Sequence, residues 1–429
     1  MKNILAFILM LALVFPAIAQ NPAPNSGQSK PIAIINAKIV VGNGTIYENG
    51  TITFKNGLIE KVGNNLPTGS EYTVIDVKGK HVYPGIISPN SQVGLNEIGA
   101  VRTTHDFAEI GQYNPNIRSI VAYNTDSEVI PTVRSNGILV AQVTPVSGVI
   151  SGSSSIVYND GWNWEDAAIK TDEGIWITWP QKIVRSFNFQ TYEVEEKKNE
   201  QYDPTIRELE AMMIASKAYA ENGDAAVNLK LEAMKGLFDG TKQLFVNADD
   251  GKQIIEAIKF AEKLGVKKSV IVGAEESDLA IEFMKSRNVP VLVNSPHRRP
   301  NRTDDAIWSA YELPKKLMDA GLTVGMYYND SYWRSRNLPF VAGNCVAHGM
   351  SQENALKMIT LNNAKILGID DILGTLETGK HATFIVTTGD VLDMRFSKVE
   401  HAFIKGGEVN LDDKQKRLYE KYRTKYGLD

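Results

Sequence analysis

The chain has 429 residues, 43% hydrophobic and 22% charged, a composition that suits a large folded domain with a smaller companion. A formal net charge of -4 argues against nucleic acid or an anionic membrane as partner. The single cysteine, Cys345, excludes an intrachain disulfide, so stability must come from a large core.

The first stretch, "MKNILAFILMLALVFPAIAQ", carries Lys2, an apolar run from Ile4 to Phe15 and the small-residue triplet Ala17-Ile18-Ala19. A positive start, a short apolar stretch and an A-x-A site read as a secretory signal over residues 1–19 rather than a membrane anchor. The mature chain is therefore expected to be exported, periplasmic or extracellular, with no membrane span. Residues 20–31, rich in Pro, Asn and Ser, are expected to form a flexible leader.

From residue 32 to 80 the sequence alternates short apolar runs with Gly and Asn turns, as in "GTITFKNGLIEKVG". Period-two patterning of this kind predicts small antiparallel strands. The same texture returns at residues 374–410, so the two ends are expected to build one small β domain together, and residues 81–373 form the body between them.

Within that body, "KQLFVNA", "KSVIVGA", "VPVLVN" and "LTVGMYY" read as strands beginning near Lys242, Lys268, Val289 and Leu322. Helical text separates them. In "GKQIIEAIKFAEKLG", Ile254, Ile255, Ile258 and Ala261 recur at helical spacing and Gly265 stands where a C-terminal glycine belongs. Strand and helix in alternation predict parallel βαβ units, hence an α/β barrel or a doubly wound sheet. A loop-rich insertion, Thr103 to Glu128, lies on the side where strand ends would shape a pocket. Cys345 falls in an apolar helical stretch and reads as packing rather than nucleophile. Residues 411–429 form a charged helix with Tyr419, Tyr422 and Tyr426 on one stripe, read first as a packing face and second as a protein-docking face.

Four separated stretches resemble the amidohydrolase superfamily, and in particular its imidazolonepropionase-like branch. "GKHVYPGIIS" (Gly79 to Ser88) is similar to the approach to barrel strand one, and "RNLPFVAGNCVAHGMSQENALKMITLNNAKILGI" (Arg336 to Ile369) to the helices after strand eight. "GTLETGKHATFIV" (Gly374 to Val386) resembles the return into the β domain, and "SPHRRPNRTDDAIW" (Ser295 to Trp308) a loop of secreted members. The resemblance implies a (β/α)8 TIM-type barrel with a β-sandwich domain from both termini, and metal-assisted hydrolysis of non-peptide C–N bonds. In that family a His-x-His pair on strand one and histidines after strands five and six hold a divalent metal, usually zinc. An aspartate after strand eight takes the proton of the metal-bound water.

In this chain the strand-one pair maps onto Asn90 and Gln92, and the strand-five position onto Asn247. Strand six offers only Glu275 or Glu276; Asp330 takes the strand-eight aspartate position and is the candidate base, with Asn329 its substitute if the register slips by one. A strand-four ligand has no evident counterpart. Neutral carboxamides are poor zinc ligands beside imidazole, so zinc binding is expected to be weak or absent. Asn90, Gln92 and Asn247 become candidate substrate-binding groups instead. His105 and His297 are the histidines in loops on the active side, and two of them with an acidic residue could rebuild a site. Arg298, Arg299 and Arg302 beside His297 could hold an anion, or simply form a salt-bridged loop.

Three functions follow. The first is an amidohydrolase-type enzyme, with hydrolysis weakened or lost, that binds a small-molecule ligand or substrate. The alternative is a non-catalytic binding or structural subunit paired with an intact amidohydrolase paralogue. A third is solute binding at an amide-lined barrel mouth.

Overall fold

The computed structural model describes residues 22–222, 226–300, 302, 304–328 and 332–428. The segment read as a secretory signal, residues 1–19, and Asp330 lie outside the described residues. The N-terminal part supplies β1 (Ile32–Val40), β2 (Ile46–Lys55), β3 (Leu58–Asn64), β4 (Thr73–Asp76) and β5 (His81–Pro84). Asn56 and Gly57, joining β2 to β3, both have positive φ (53° and 80°), the pairing a tight two-residue hairpin demands.

The barrel sheet then begins with β6 (Ile86–Ser91), β7 (Ile138–Val143), β8 (Ile150–Tyr158) and β9 (Ala168–Thr178). A separate hairpin, β10 (Ile183–Asn188) and β11 (Glu193–Lys198), projects before β12 (Gln243–Ala248), β13 (Ser269–Gly273), β14 (Val291–Val293) and β15 (Val324–Met326). The chain finally returns to the first sheet with β16 (Phe384–Thr387), β17 (Val399–Ile404) and β18 (Gly407–Glu408).

Both termini do meet in one sheet, of order β18-β17-β16-β5-β1-β2-β3, with β4 alongside β1. Its own apolar cluster centres on Phe54, Phe384 and Phe403, whose ring centroids lie 4.9 to 5.2 Å apart. Edge-to-face and offset contacts at this range add to the area that the rings bury.

The body is an eight-stranded, nearly closed barrel sheet of order β15-β14-β13-β12-β9-β8-β7-β6. The strands read at Lys242, Lys268, Val289 and Leu322 are present within two residues, and all four pair in parallel. The helix Gly251–Leu264 behind β12 is capped by Asp250 and stopped by Gly265 at φ 83°, and it buries Ile254, Ile258 and Ala261. Its periodic stripe is what holds it on the sheet.

Regular (β/α)8 alternation is not kept in the first half. β8 runs antiparallel to both β7 and β9. The links concerned are residues 144–149 and 159–167, too short for the dozen or so residues a parallel crossover needs.

The first and last barrel strands, β6 and β15, are not hydrogen-bonded to each other. Side chains bridge the gap instead. Asn363 Nδ2 donates to Ile87 O of β6 (2.8 Å) and to Met326 O of β15 (3.0 Å), and Asn362 Nδ2 donates to Val324 O (2.8 Å). Gly325 is required there: a Cβ would stand 2.1 Å from Asn363 Oδ1.

Two terminal segments differ from expectation. The part of the leader that is described is tied down, Asn25 by its backbone N–H to Asp160 Oδ2 (3.0 Å) and Gln28 by its amide to Phe54 O (2.8 Å). Asp160 in turn forms a buried ion pair with Arg134, each side chain 3% exposed. The C-terminal helix Lys414–Tyr426 has no buried residue, and Tyr419, Tyr422 and Tyr426 face solvent, so the packing reading of its stripe is corrected. Six cations and one glutamate in those thirteen residues keep the helix surface hydrated. Cys345 is fully buried, with its thiol pushed up to about 12 by burial, as a packing role requires.

Candidate active site

The C-terminal ends of the parallel strands converge on one mouth. β6 brings Asn90, which is 5% exposed and adopts the left-handed conformation at φ 49°. A register shift falls between Ser88 and Ser91, so the strict alternation that would put Asn90 and Gln92 on one face is broken at the first of them. Gln92 lies past the strand end and half-exposed. The Asn90 N–H donates to Gln142 Oε1 (3.1 Å), and its side chain bonds the hydroxyl of Tyr327, which follows β15.

β12 ends in Asn247 and Asp249. Asn247 is half-buried and its carbonyl accepts from the Trp179 N–H at the end of β9 (3.0 Å), which locks strands four and five together at the rim. Asp249 Oδ1 leans over Gly273, where a Cβ would stand only 2.3 Å away. The next residue, Ala274, is a fully buried non-glycine at φ 58°. Such strain persists only where surrounding contacts over-determine it. Glu275 lies beside Asp249 and is paired with Arg298, whose Nε is 3.5 Å from Glu275 Oε1 and whose Nη2 donates to Glu275 O (3.1 Å).

This arrangement perturbs the Asp249 carboxyl and the Tyr327 hydroxyl. The Asp249 carboxyl, open to solvent on one side and crowded by protein on the others, is pushed up to about 6 by burial and then by the Glu275 carboxylate. Arg298 pulls the other way. Burial, with the Asp249 charge behind it, raises the Tyr327 hydroxyl so that it stays a neutral donor. Since folded Asp249 holds its proton more tightly than the unfolded chain does, its contribution to stability falls as pH rises from 3.8 to about 6 and is level above. The carboxyl carbon of Asp249 should therefore titrate near pH 6 by NMR. Glu275→Gln should lower that midpoint by removing a like charge, and Arg298→Met should raise it; no movement in either variant would dissociate the three groups.

Below the mouth a polar chain enters the barrel. Gln142 Nε2 donates to Glu173 Oε1 (2.8 Å), Ser154 Oγ donates to the same oxygen (2.7 Å), and Trp176 Nε1 donates to Ser154 Oγ (2.8 Å). Burial pushes the Glu173 carboxyl above the usual range, and its second oxygen has no partner among the described residues. Glu173 is the buried acidic side chain of strand four, but Asn247 is level with Thr178. Glu173 is five residues further down the strand, about 16 Å at ~3.3 Å per residue.

The loop histidines are not brought together by any contact. His105 Nε2 meets Gly99 O (3.2 Å) and the ring stacks on Phe107. His297 turns to Asn344 (2.8 Å) on the helix Leu338–Ala347, away from Glu275. Two of the three arginines follow the salt-bridged alternative: Arg298 is held by Glu275, and Arg302 by Asp305 through two nitrogens (3.0 and 2.7 Å). Among the described residues, no group of three His, Cys, Asp or Glu side chains is placed to hold a metal ion. Among the described residues, the donors around the mouth include carboxamides, a phenol and two carboxylates, one of them paired with an arginine. None of these is the imidazole that the resemblance implies.

Tyr327, Gln142, Ser154 and Glu173 were missed by sequence reasoning. Tyr327 opens the stretch "YYNDS" that carries Asn329 and Asp330, but a tyrosine carries no ligand signal there. Glu173 sits in "KTDEGIWIT", where Asp172 at φ 52° breaks the strand's alternation and hides which face the acid takes.

Residues 212–409 match the amidohydrolase family. The chain is 23% identical over 407 residues to a dihydropyrimidinase of Arabidopsis thaliana, covering 85% of this chain and 69% of that one. The fold is similar to that of an amidohydrolase from Thermotoga maritima, with a TM-score of 0.78, 22% identity, and 88% and 99% of the two chains covered. It is also similar to molinate hydrolase, with a TM-score of 0.53, 14% identity, and 90% and 95% covered.

Proposed function

From the amidohydrolase-family match over residues 212–409, we propose that the barrel mouth descends from a metal-dependent hydrolytic site and now binds a small polar ligand, with hydrolysis of C–N bonds weak or lost. The observation that carries this reading is the chemistry of the rim. Asn90 and Asn247 stand where the imidazolonepropionase-like branch has imidazoles, and His105 and His297 are engaged elsewhere. Carboxamides offer both donor and acceptor atoms, so Asn90, Gln92 and Asn247 suit a neutral amide or imide, and Arg298 beside Glu275 suits a charged end. Export through residues 1–19 belongs to the same proposal.

Elemental analysis of the purified mature chain should find well under one zinc per chain. Turnover of a dihydropyrimidine should be undetectable or barely above background. One tightly held transition metal per chain would overturn the reading.

A second reading is favoured by Asp249. A carboxyl with a pKa of about 6 is poised to act as a base above that pH. Under it the chain is a working hydrolase, and either Asp249 or Asp330 takes the proton. If turnover is found, Asp249→Asn and Asp330→Asn made separately will name the base, because the loss should fall on one of them by about 100-fold or more.

A further inference from the structure

Away from the mouth lies a cleft of about 940 Å³. It lies between the base of the β10–β11 hairpin and the helices Tyr202–Glu221 and Gly251–Leu264. Its volume falls in the upper part of the range that small-molecule pockets occupy.

The floor is apolar. Trp179 is 2% exposed and meets Phe260 edge to face at 5.4 Å, with Ile206 half-buried beside them. One buried donor in this floor, the Trp179 indole N–H, makes no well-aligned hydrogen bond; the oxygen beside it is the Tyr202 hydroxyl, which itself donates to Glu256 (2.7 Å). A buried donor with a poorly placed acceptor gains from a better one.

The rim is cationic. Lys182, Lys197, Lys198, Lys259 and Lys263 line the cleft against Glu196, Asp203 and Glu256. Lys182 is paired with Glu256, Lys197 with Glu195 and Lys263 with Glu210. Lys259 makes no ion pair among the described residues; its Nζ stands 5.5 Å from the centre of the Phe283 ring.

We propose that this cleft binds a small amphipathic anion, an apolar body bearing one carboxylate or comparable acidic group. The body lies on Trp179, Ile206 and Phe260, a polar acceptor atom takes the indole N–H, and Lys259 meets the acidic end. The inference is independent of what the barrel mouth does.

The test uses the full mature chain and 8-anilinonaphthalene-1-sulfonate, whose fluorescence rises on entering an apolar site. Dodecanoate, kept below micelle formation, should displace the dye, whereas dodecyltrimethylammonium, with the same tail and opposite charge, should not. Lys259 is exposed, so Lys259→Glu should fold normally and weaken dodecanoate about tenfold, the equivalent of one charge contact. Ile206→Trp, which fills the floor, should abolish displacement. The exposed aromatic tip of the hairpin is the competing dye site, so Phe189→Ser should leave displacement unchanged. Equal displacement by both detergents, or loss in Phe189→Ser with none in Lys259→Glu, would overturn the proposal.

Discussion

Asp160→Ala should destabilise the protein by about 3–5 kcal/mol, among the largest effects of any single substitution. Its partner Arg134 is 3% exposed and would keep its charge with no carboxylate in reach. Arg134 Nη1 would retain only the Asn159 carbonyl (3.1 Å), and Arg134 Nε already lacks a partner. The leader would also lose the Asn25 contact to Asp160 Oδ2. Denaturant midpoints at constant slope measure the loss. The double change Arg134→Met with Asp160→Leu should recover most of it, because the cost lies in stranding one charge rather than in losing an attraction. A double variant as unstable as the single one would show that the pair itself supplies the stability.

The second large effect is expected inside the barrel. Trp176 is 1% exposed, stacks on Phe245 with ring centres 4.7 Å apart and planes 6° from parallel, and donates to Ser154. Trp176→Ala should cost about 3–5 kcal/mol, from lost burial and from the cavity it leaves. Trp176→Phe keeps the stack and deletes the donor, so it should cost only about 1 kcal/mol. Comparing the two by chemical denaturation separates packing from hydrogen bonding. If Trp176→Phe is as damaging as Trp176→Ala, the Ser154–Glu173 chain outweighs the ring contact.

How far these features could be read from sequence depends on whether they leave a periodic trace. β12 and the helix Gly251–Leu264 were legible because one carries a compact β-branched and aromatic run and the other a clean helical stripe with both caps. Asn247 could therefore be placed on its strand end. The direction of β8 was not legible, since alternation fixes a face and says nothing about which way a strand runs; only the shortness of its two links encodes that. Asn90 could be located but not oriented, because its left-handed backbone breaks the alternation on which the Asn90–Gln92 pairing relied. The Asp249–Glu275–Arg298 cluster joins residues from β12, the turn after β13 and the loop after β14, and proximity of that kind has no signature in any single stretch. The tyrosine stripe of the last helix showed its spacing clearly, yet a stripe fixes a face and leaves open whether anything covers it.

Asn363, which bridges β6 and β15, and Asn362, which holds β15, lie later in the chain than every barrel strand. A ribosome releases all eight strands before it releases the residues that shut the ring. Until the segment Leu361–Leu367 docks, the nascent sheet has two raw margins, β6 and β15, each open to pairing with another molecule. A truncation anywhere between Met326 and Leu361 therefore yields an unclosed, self-adhesive sheet rather than a smaller barrel.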